Sequence, residues 1–209
     1  MSREIRIYIE GSGKSIDGKR RARFRTAFYA FFKDIHEEAR QRRIRLNPIP
    51  SGGREQTFRD YKKALNSHPD SINLLLIDSE GPILDPSPWR HLEKNSNGGC
   101  PHPGIGDNSC HLMVQMMESW FLADGERLKD YYGKGFNEKA LPASHDIESI
   151  SKEQVADLLK RATKATQKGE YHKTRHAPDI LEKIRPDRVR EKASYCKRLF
   201  STLSELIRN

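Results

Sequence analysis

The chain predicts an α/β fold, a doubly wound and mostly parallel sheet flanked by helices. Three observations carry this expectation. Residues 4–9 alternate with period two, placing Ile5, Ile7 and Ile9 on one face of a strand. Residues 72–77 form an unbroken apolar run, the pattern of a strand covered on both faces of a parallel sheet. Between them, helical spacing alternates with strand spacing, so the order is strand, helix, strand, helix, strand.

The elements follow in order. After the Gly11-Ser12-Gly13 loop, Phe24, Ala27, Phe28, Phe31, Ile35 and Ala39 share the apolar face of one long helix. Its other face is basic, with Arg20, Arg21, Arg23, Arg25 and Lys33. Residues 43–49 read as a second strand that Pro48 and Pro50 end. Ser51-Gly52-Gly53-Arg54 makes a loop, and Phe58, Tyr61, Ala64 and Leu65 mark a second helix. Asp78-Ser79-Glu80-Gly81-Pro82 stops the third strand. Residues 83–109, rich in Pro, Gly and Asn, predict a long surface loop. A strong helix is expected over His111 to Ala123, and a loop over residues 133–150. Ser151 with Gln154 has the pattern of a capping box. Pro178 and Asp179 look like the first turn of another helix, with Leu181 and Ile184 inward. Cys196, Leu199, Phe200, Leu203 and Ile207 form the stripe of a C-terminal packing helix. No repeat or linker interrupts the chain, so a single domain is expected over 1–209, with a core at 1–125 and a helical extension at 126–209.

Composition bounds the function. The 209 residues suffice for one core. No apolar run approaches the roughly 20 residues of a membrane span. The N-terminus runs straight into a strand, so no signal peptide is expected. Three cysteines fit a reducing compartment, and the expected location is the cytoplasm. A net charge of +9 favours nucleic acid, phosphate ligands or an acidic partner.

The acids at the strand ends are the candidate site. In an open parallel sheet, ligands bind beyond the carboxyl ends of the strands. Glu10 closes the first strand, Asp78 the third, and Glu80 follows two residues later. Converging carboxylates repel one another unless a cation lies between them, and oxygen ligands favour Mg²⁺ or Mn²⁺. His111, Gln115 and Glu118 would share one face of the expected helix, which makes Glu118 a further acid for the site or its surroundings. Asp124 reads as a cap, and Asp17 as an additional acid of uncertain position. Lys168, Tyr171, His172, Lys173, Arg175 and His176 precede the helix expected at Pro178. Helix N-termini attract anions, so this segment is a candidate phosphate contact, with Tyr171 able to stack on a base. Gly11-Ser12-Gly13-Lys14-Ser15 lacks the spacing of a P-loop. The spacing of Cys100, His102, Cys110 and His111 matches no common zinc pattern.

These residues resemble the Toprim domain of topoisomerases, primases and OLD-type nucleases, in which a Glu closes the first strand and an Asp-x-Asp-like pair closes a later one. Glu80 stands here where that pair has its second Asp. More specifically, the chain is similar to an uncharacterised bacterial Toprim-like family. The resemblance lies in Glu10-Gly11, residues 51–54, 76–80, 111–124 with its Met-Glu-x-Trp segment, and 168–173. It implies a nuclease effector working beside an AAA-type ATPase in anti-phage defence.

Two functions are therefore expected. The first is a metal-dependent nuclease acting on DNA or RNA. Glu10, Asp78 and Glu80 would bind Mg²⁺ or Mn²⁺, with Glu118 and Lys173 in the catalytic set. Gly11, Gly53, Arg54, Tyr171, His172, Arg175 and His176 would meet substrate phosphates. The second is a non-catalytic Toprim-like module that binds nucleic acid or regulates a partner ATPase. A nucleotide-binding phosphotransferase relying on Lys14 would be the alternative to both.

Overall fold

The computed structural model describes residues 3–11, 17–94 and 100–209. Ser12 to Ser15, the P-loop-like segment with Lys14, lies outside the described residues. Among the described residues, four parallel strands form one sheet in the order β2-β1-β3-β4: β1 Glu4–Ile9, β2 Arg45–Pro50, β3 Ile72–Asp78 and β4 Cys110–Met113. The chain winds one way from β1 to β2, then crosses β1 to β3 and β4 on the other side. The fold is thus the parallel, doubly wound α/β class that the strand patterns predict, consistent with a Toprim-like arrangement. The winding reverses between β1 and β3, and at such a switch point the connections diverge and leave a crevice at the carboxyl ends.

Helices cover both faces. Helices α1 (Gly18–Phe31) and α2 (Lys33–Gln41) lie on one, with Phe24, Phe28, Phe31, Phe32 and Ile35 packed against Ile5, Ile7, Leu74 and Leu76. On the other, α3 (Arg54–Ser67) and α4 (Pro88–Lys94) pack Phe58, Tyr61, Trp89 and Leu92 on Tyr8, Leu75, Ile77 and Leu112. The first of these cores also takes in Leu199, Phe200, Leu203 and Ile207 of α9 (Ser194–Arg208), so the C-terminal helices share the core of the sheet.

Several expected elements differ. The single long helix breaks at Phe32 into α1 and α2. Pro48 lies within β2, and Pro50 is its last residue. An edge strand needs only one of its two rows of backbone groups, so missing N–H donors are tolerated there. The stretch 83–109 contains α4, and α5 (Gly125–Tyr132) was not anticipated.

The helix expected over 111–123 is instead β4 followed by a 3₁₀ helix, Met117–Ala123. Every residue from Cys110 to Asp124 is buried. In a segment buried all round, apolar spacing does not distinguish strand from helix. Pairing decides it: β4 supplies hydrogen-bond partners to the free edge of β3, with Leu75 to Asp78 in register with Cys110 to Met113.

The helix expected to begin at Pro178 begins earlier, as α7 (Lys173–Leu181), with His172 as its N-cap and Pro178 inside it. The capping box is present: Ser151 accepts from the Gln154 backbone, and Gln154 from that of Ser151, at the start of α6 (Lys152–Thr163). The remaining helix, α8, spans Pro186–Lys192.

Candidate metal centre at the strand tips

Glu10 and Asp78 leave neighbouring strands at the switch point. The Asp78 N–H donates to Glu10 Oε2 at 3.1 Å, tying the two tips together. Glu80 curls back on a backbone with φ of 63°, its N–H donating to the Gln115 carbonyl at 2.9 Å. One carboxylate oxygen from each of Glu10, Asp78 and Glu80 lies within 4.8 Å of the others. Asp78 is buried, Glu10 half-buried and Glu80 exposed, so the cluster opens to solvent on the Glu80 side.

A fourth acid approaches from the 3₁₀ helix. Trp120 stacks on Phe31 at 5.0 Å between ring centroids and anchors that segment under α1. The Met117 N–H donates to Asp78 Oδ1 at 2.8 Å, which brings the next residue, Glu118, alongside the cluster. Glu118 is 1% exposed. Its Oε1 accepts from the Tyr171 hydroxyl at 3.0 Å and pairs with Lys173 Nζ at 3.3 Å, while its Oε2 is buried without a hydrogen-bond partner among the described residues. The sequence singled out Glu118 as a helix-face residue. It reaches the site by a different backbone route.

Cations from the protein surround the acids. Arg54, the first residue of α3, donates to the Asp78 carbonyl and places its Nε 3.9 Å from Glu10. Lys152, the first residue of α6, pairs with Glu80. Lys152 was not anticipated: Ser151 and Gln154 mark a helix start, but nothing local says that this start faces β3. Burial pushes Glu10 up to about 7, with Arg54 and the Asp78 N–H opposing and Glu80 adding repulsion. Burial, then repulsion from Glu10, lifts Asp78 well above the usual carboxylate range. Burial works against the Lys173 ammonium, but Glu118 and Asp78 outweigh it and raise its pKa.

The other expected residues are placed unevenly. Gly11 donates its N–H to the Gly52 carbonyl, and Gly53 N-caps α3, so the β2–α3 turn lies against the tip of β1. Tyr171 is turned inward, edge-on to Phe121 and bonded to Glu118, and does not present a free ring for a base. His176 is buried; Arg175 Nε donates to its Nε2, and its Nδ1 meets the Tyr132 hydroxyl at 3.0 Å. Arg175 also holds the Lys168 carbonyl, and His172 caps α7 at the surface. Of the 168–176 segment, Tyr171 and Lys173 reach the acids. Asp17 N-caps α1, accepting from the Arg20 N–H at 2.9 Å. Asp124 N-caps α5 and is clasped by Arg185. Burial pushes His111 down to about 3, and its ring meets Asn108 and Arg198.

The donor set suits a small divalent cation. All donors are oxygens, as Mg²⁺ and Mn²⁺ prefer, and bound ligand oxygens lie about 2.1 Å from such an ion, so small rotations of the 4.8 Å cluster would close it. Burial, ahead of mutual repulsion, disfavours the ionised forms of Glu10 and Asp78, and a bound cation would favour them again.

Residues 25–204 match a domain of unknown function, DUF4276. The chain belongs to the DUF4276 family. No curated protein and no solved structure matches it. The matched stretch of this DUF4276 chain includes Asp78, Glu80, Glu118, Lys152 and Lys173 and begins after Glu10. Among the described residues, no helix of the DUF4276 chain is long and apolar enough to cross a membrane.

Proposed function

We propose that this DUF4276 chain is a Mg²⁺- or Mn²⁺-dependent nuclease that hydrolyses phosphodiester bonds of DNA or RNA. The observation that carries the reading is the meeting of Glu10, Asp78 and Glu80 at the switch point, with one oxygen of each within 4.8 Å of the others. When bound, a divalent ion would supply activation of water and charge stabilisation on the leaving oxygen. Lys173, held beside Glu118 and 38% exposed, can meet a substrate phosphate without leaving the acids. Arg54 fixes the Asp78 carbonyl and the Glu10 carboxylate, keeping the ligands oriented. The Toprim resemblance, the free buried cysteines and the net charge of +9 support a cytoplasmic protein acting on nucleic acid. An AAA-type ATPase partner and a role in anti-phage defence rest on the resemblance.

One observation favours the non-catalytic module: Glu10, Glu80 and Glu118 each face a cation of the protein, Arg54, Lys152 and Lys173 respectively. The two readings part in one assay. Labelled single- and double-stranded DNA and RNA are incubated with Mg²⁺, Mn²⁺ or EDTA, with and without a cognate ATPase. Cleavage that EDTA and Asp78→Asn abolish supports the nuclease. Intact substrates under every condition sink it and leave the module.

A further inference from the structure

The amino-terminal edge of the sheet, opposite the acid tips, carries its own charged feature. An open groove of about 580 Å³ is lined by Arg3, Arg42, Arg43 and Arg208, with Ile44, Ile207 and Asn209. Arg208 pairs with Glu38 at 3.2 Å. Among the described residues, Arg3, Arg42 and Arg43 make no ion pair, and all three are exposed. Their backbones are fixed. The Arg42 and Arg43 N–H groups bond the Ala39 and Arg40 carbonyls, and the Arg45 N–H bonds the Arg3 carbonyl.

Arg43 stands in the left-handed region, with φ of 58°. It follows the end of α2, where a chain reversing out of a helix favours glycine or asparagine. An arginine there sits against local preference, and such departures gather where a side chain is used. The position aims Arg43 outward beside Arg42 and Arg3. Guanidinium groups present planar donor forks that fit phosphate oxygens.

We infer that this arginine groove is a second contact for the phosphodiester backbone of nucleic acid, anchoring the strand away from the acid cluster. It rests on the nucleic-acid reading of the function but not on catalysis. The groove contributes affinity without base selectivity, because phosphate contacts position a nucleic acid and do not read it.

The test measures binding of a fluorescent mixed-sequence DNA duplex and its RNA counterpart in EDTA, as a function of salt. The proteins compared are the wild type, Arg3→Ser/Arg42→Ser/Arg43→Ser and the single variant Arg43→Gly. The triple variant is expected to flatten the slope of log affinity against log salt by about 3 for duplex DNA, near 0.9 per lost contact. Arg43→Gly is expected to weaken binding while raising the melting temperature, since glycine relieves the backbone. That opposition separates a binding role from a structural one. An unchanged salt slope in a folded triple variant overturns the inference, as does poly-glutamate competing as well as DNA. A separate Mg²⁺ cleavage assay on the same proteins keeps the two proposals apart. Cleavage with unaltered binding ends only the groove, whereas binding lost without any cleavage ends only the nuclease.

Discussion

At the residue scale, Glu10 links folding to the candidate metal. Its unfolded carboxyl has the ordinary value of 4.5, and burial raises it to about 7 in the fold. The folded state therefore holds the proton more tightly, so this group's contribution is most favourable below pH 4.5 and is lost as pH rises toward 7. The loss is roughly 3 kcal/mol at most. In EDTA, Glu10→Gln, which keeps an acceptor for the Asp78 N–H, is expected to gain stability over the wild type progressively from pH 5 to 7.5. Thermal melts of both proteins across that range check it. Added Mn²⁺ should close the gap by stabilising the wild type, since only a carboxylate ligates well. Asp78→Asn tests chemistry instead. Asparagine can still accept from the Met117 N–H, so the fold should persist. Cleavage should fall by at least about a hundredfold, more than the loss of a group that merely orients a ligand, as single-turnover rates would show.

Elements rather than single residues explain what was legible in the sequence. Glu10 and Asp78 were readable because each directly follows an apolar strand, and strand ends in a doubly wound sheet face the crevice. Cys196, Leu199, Phe200, Leu203 and Ile207 were readable because α9 keeps a solvent face, so its stripe has contrast. Residues 110–124 were not, since a segment buried on every side has none. Glu118 was picked out for a helix that is not there, and its true route depends on β4 pairing with β3. His176 looked like a phosphate ligand beside Arg175 and Lys173, but α7 begins five residues before Pro178 and turns that imidazole onto Tyr132. The proline misled because its usual place is a first turn. Lys152 shows how an element delivers a side chain: the capping box fixes the first turn of α6, which holds the ammonium on Glu80. Ser151→Ala should cost about 1 kcal/mol of stability, measured by urea titration. It should also loosen the Lys152–Glu80 pair, detectable as broadened Lys152 side-chain resonances.

Over the whole molecule, the net charge is +9, and Arg54, Lys152 and Lys173 each face one acid of the candidate centre. A polyanion drawn by the net charge of +9 would be repelled by the exposed Glu80 unless neighbouring cations outweigh it. Helix α1 supplies exposed arginines that could contribute. Arg23 bonds both Asp179 and the Arg175 carbonyl of α7, whose first residue is Lys173, so α1 is fastened to the element that meets Glu118. Two residues to either side of Arg23, and so on the opposite flank of α1, Arg21 and Arg25 are exposed, form no ion pair among the described residues, and lie four positions apart on one face. Under the nuclease reading, a bound strand long enough to wrap α1 would meet this face. Replacing both with serine removes two phosphate contacts and touches neither the acids nor their bracing cations. KM for nucleic acid should therefore rise while kcat stays within about twofold, because binding shared equally by substrate and transition state changes KM alone. The effect should shrink as salt increases, since screening weakens these contacts in the wild type as well. A fall in kcat at unchanged KM would instead place α1 in the chemistry, and the division between steering surface and acid centre would be wrong.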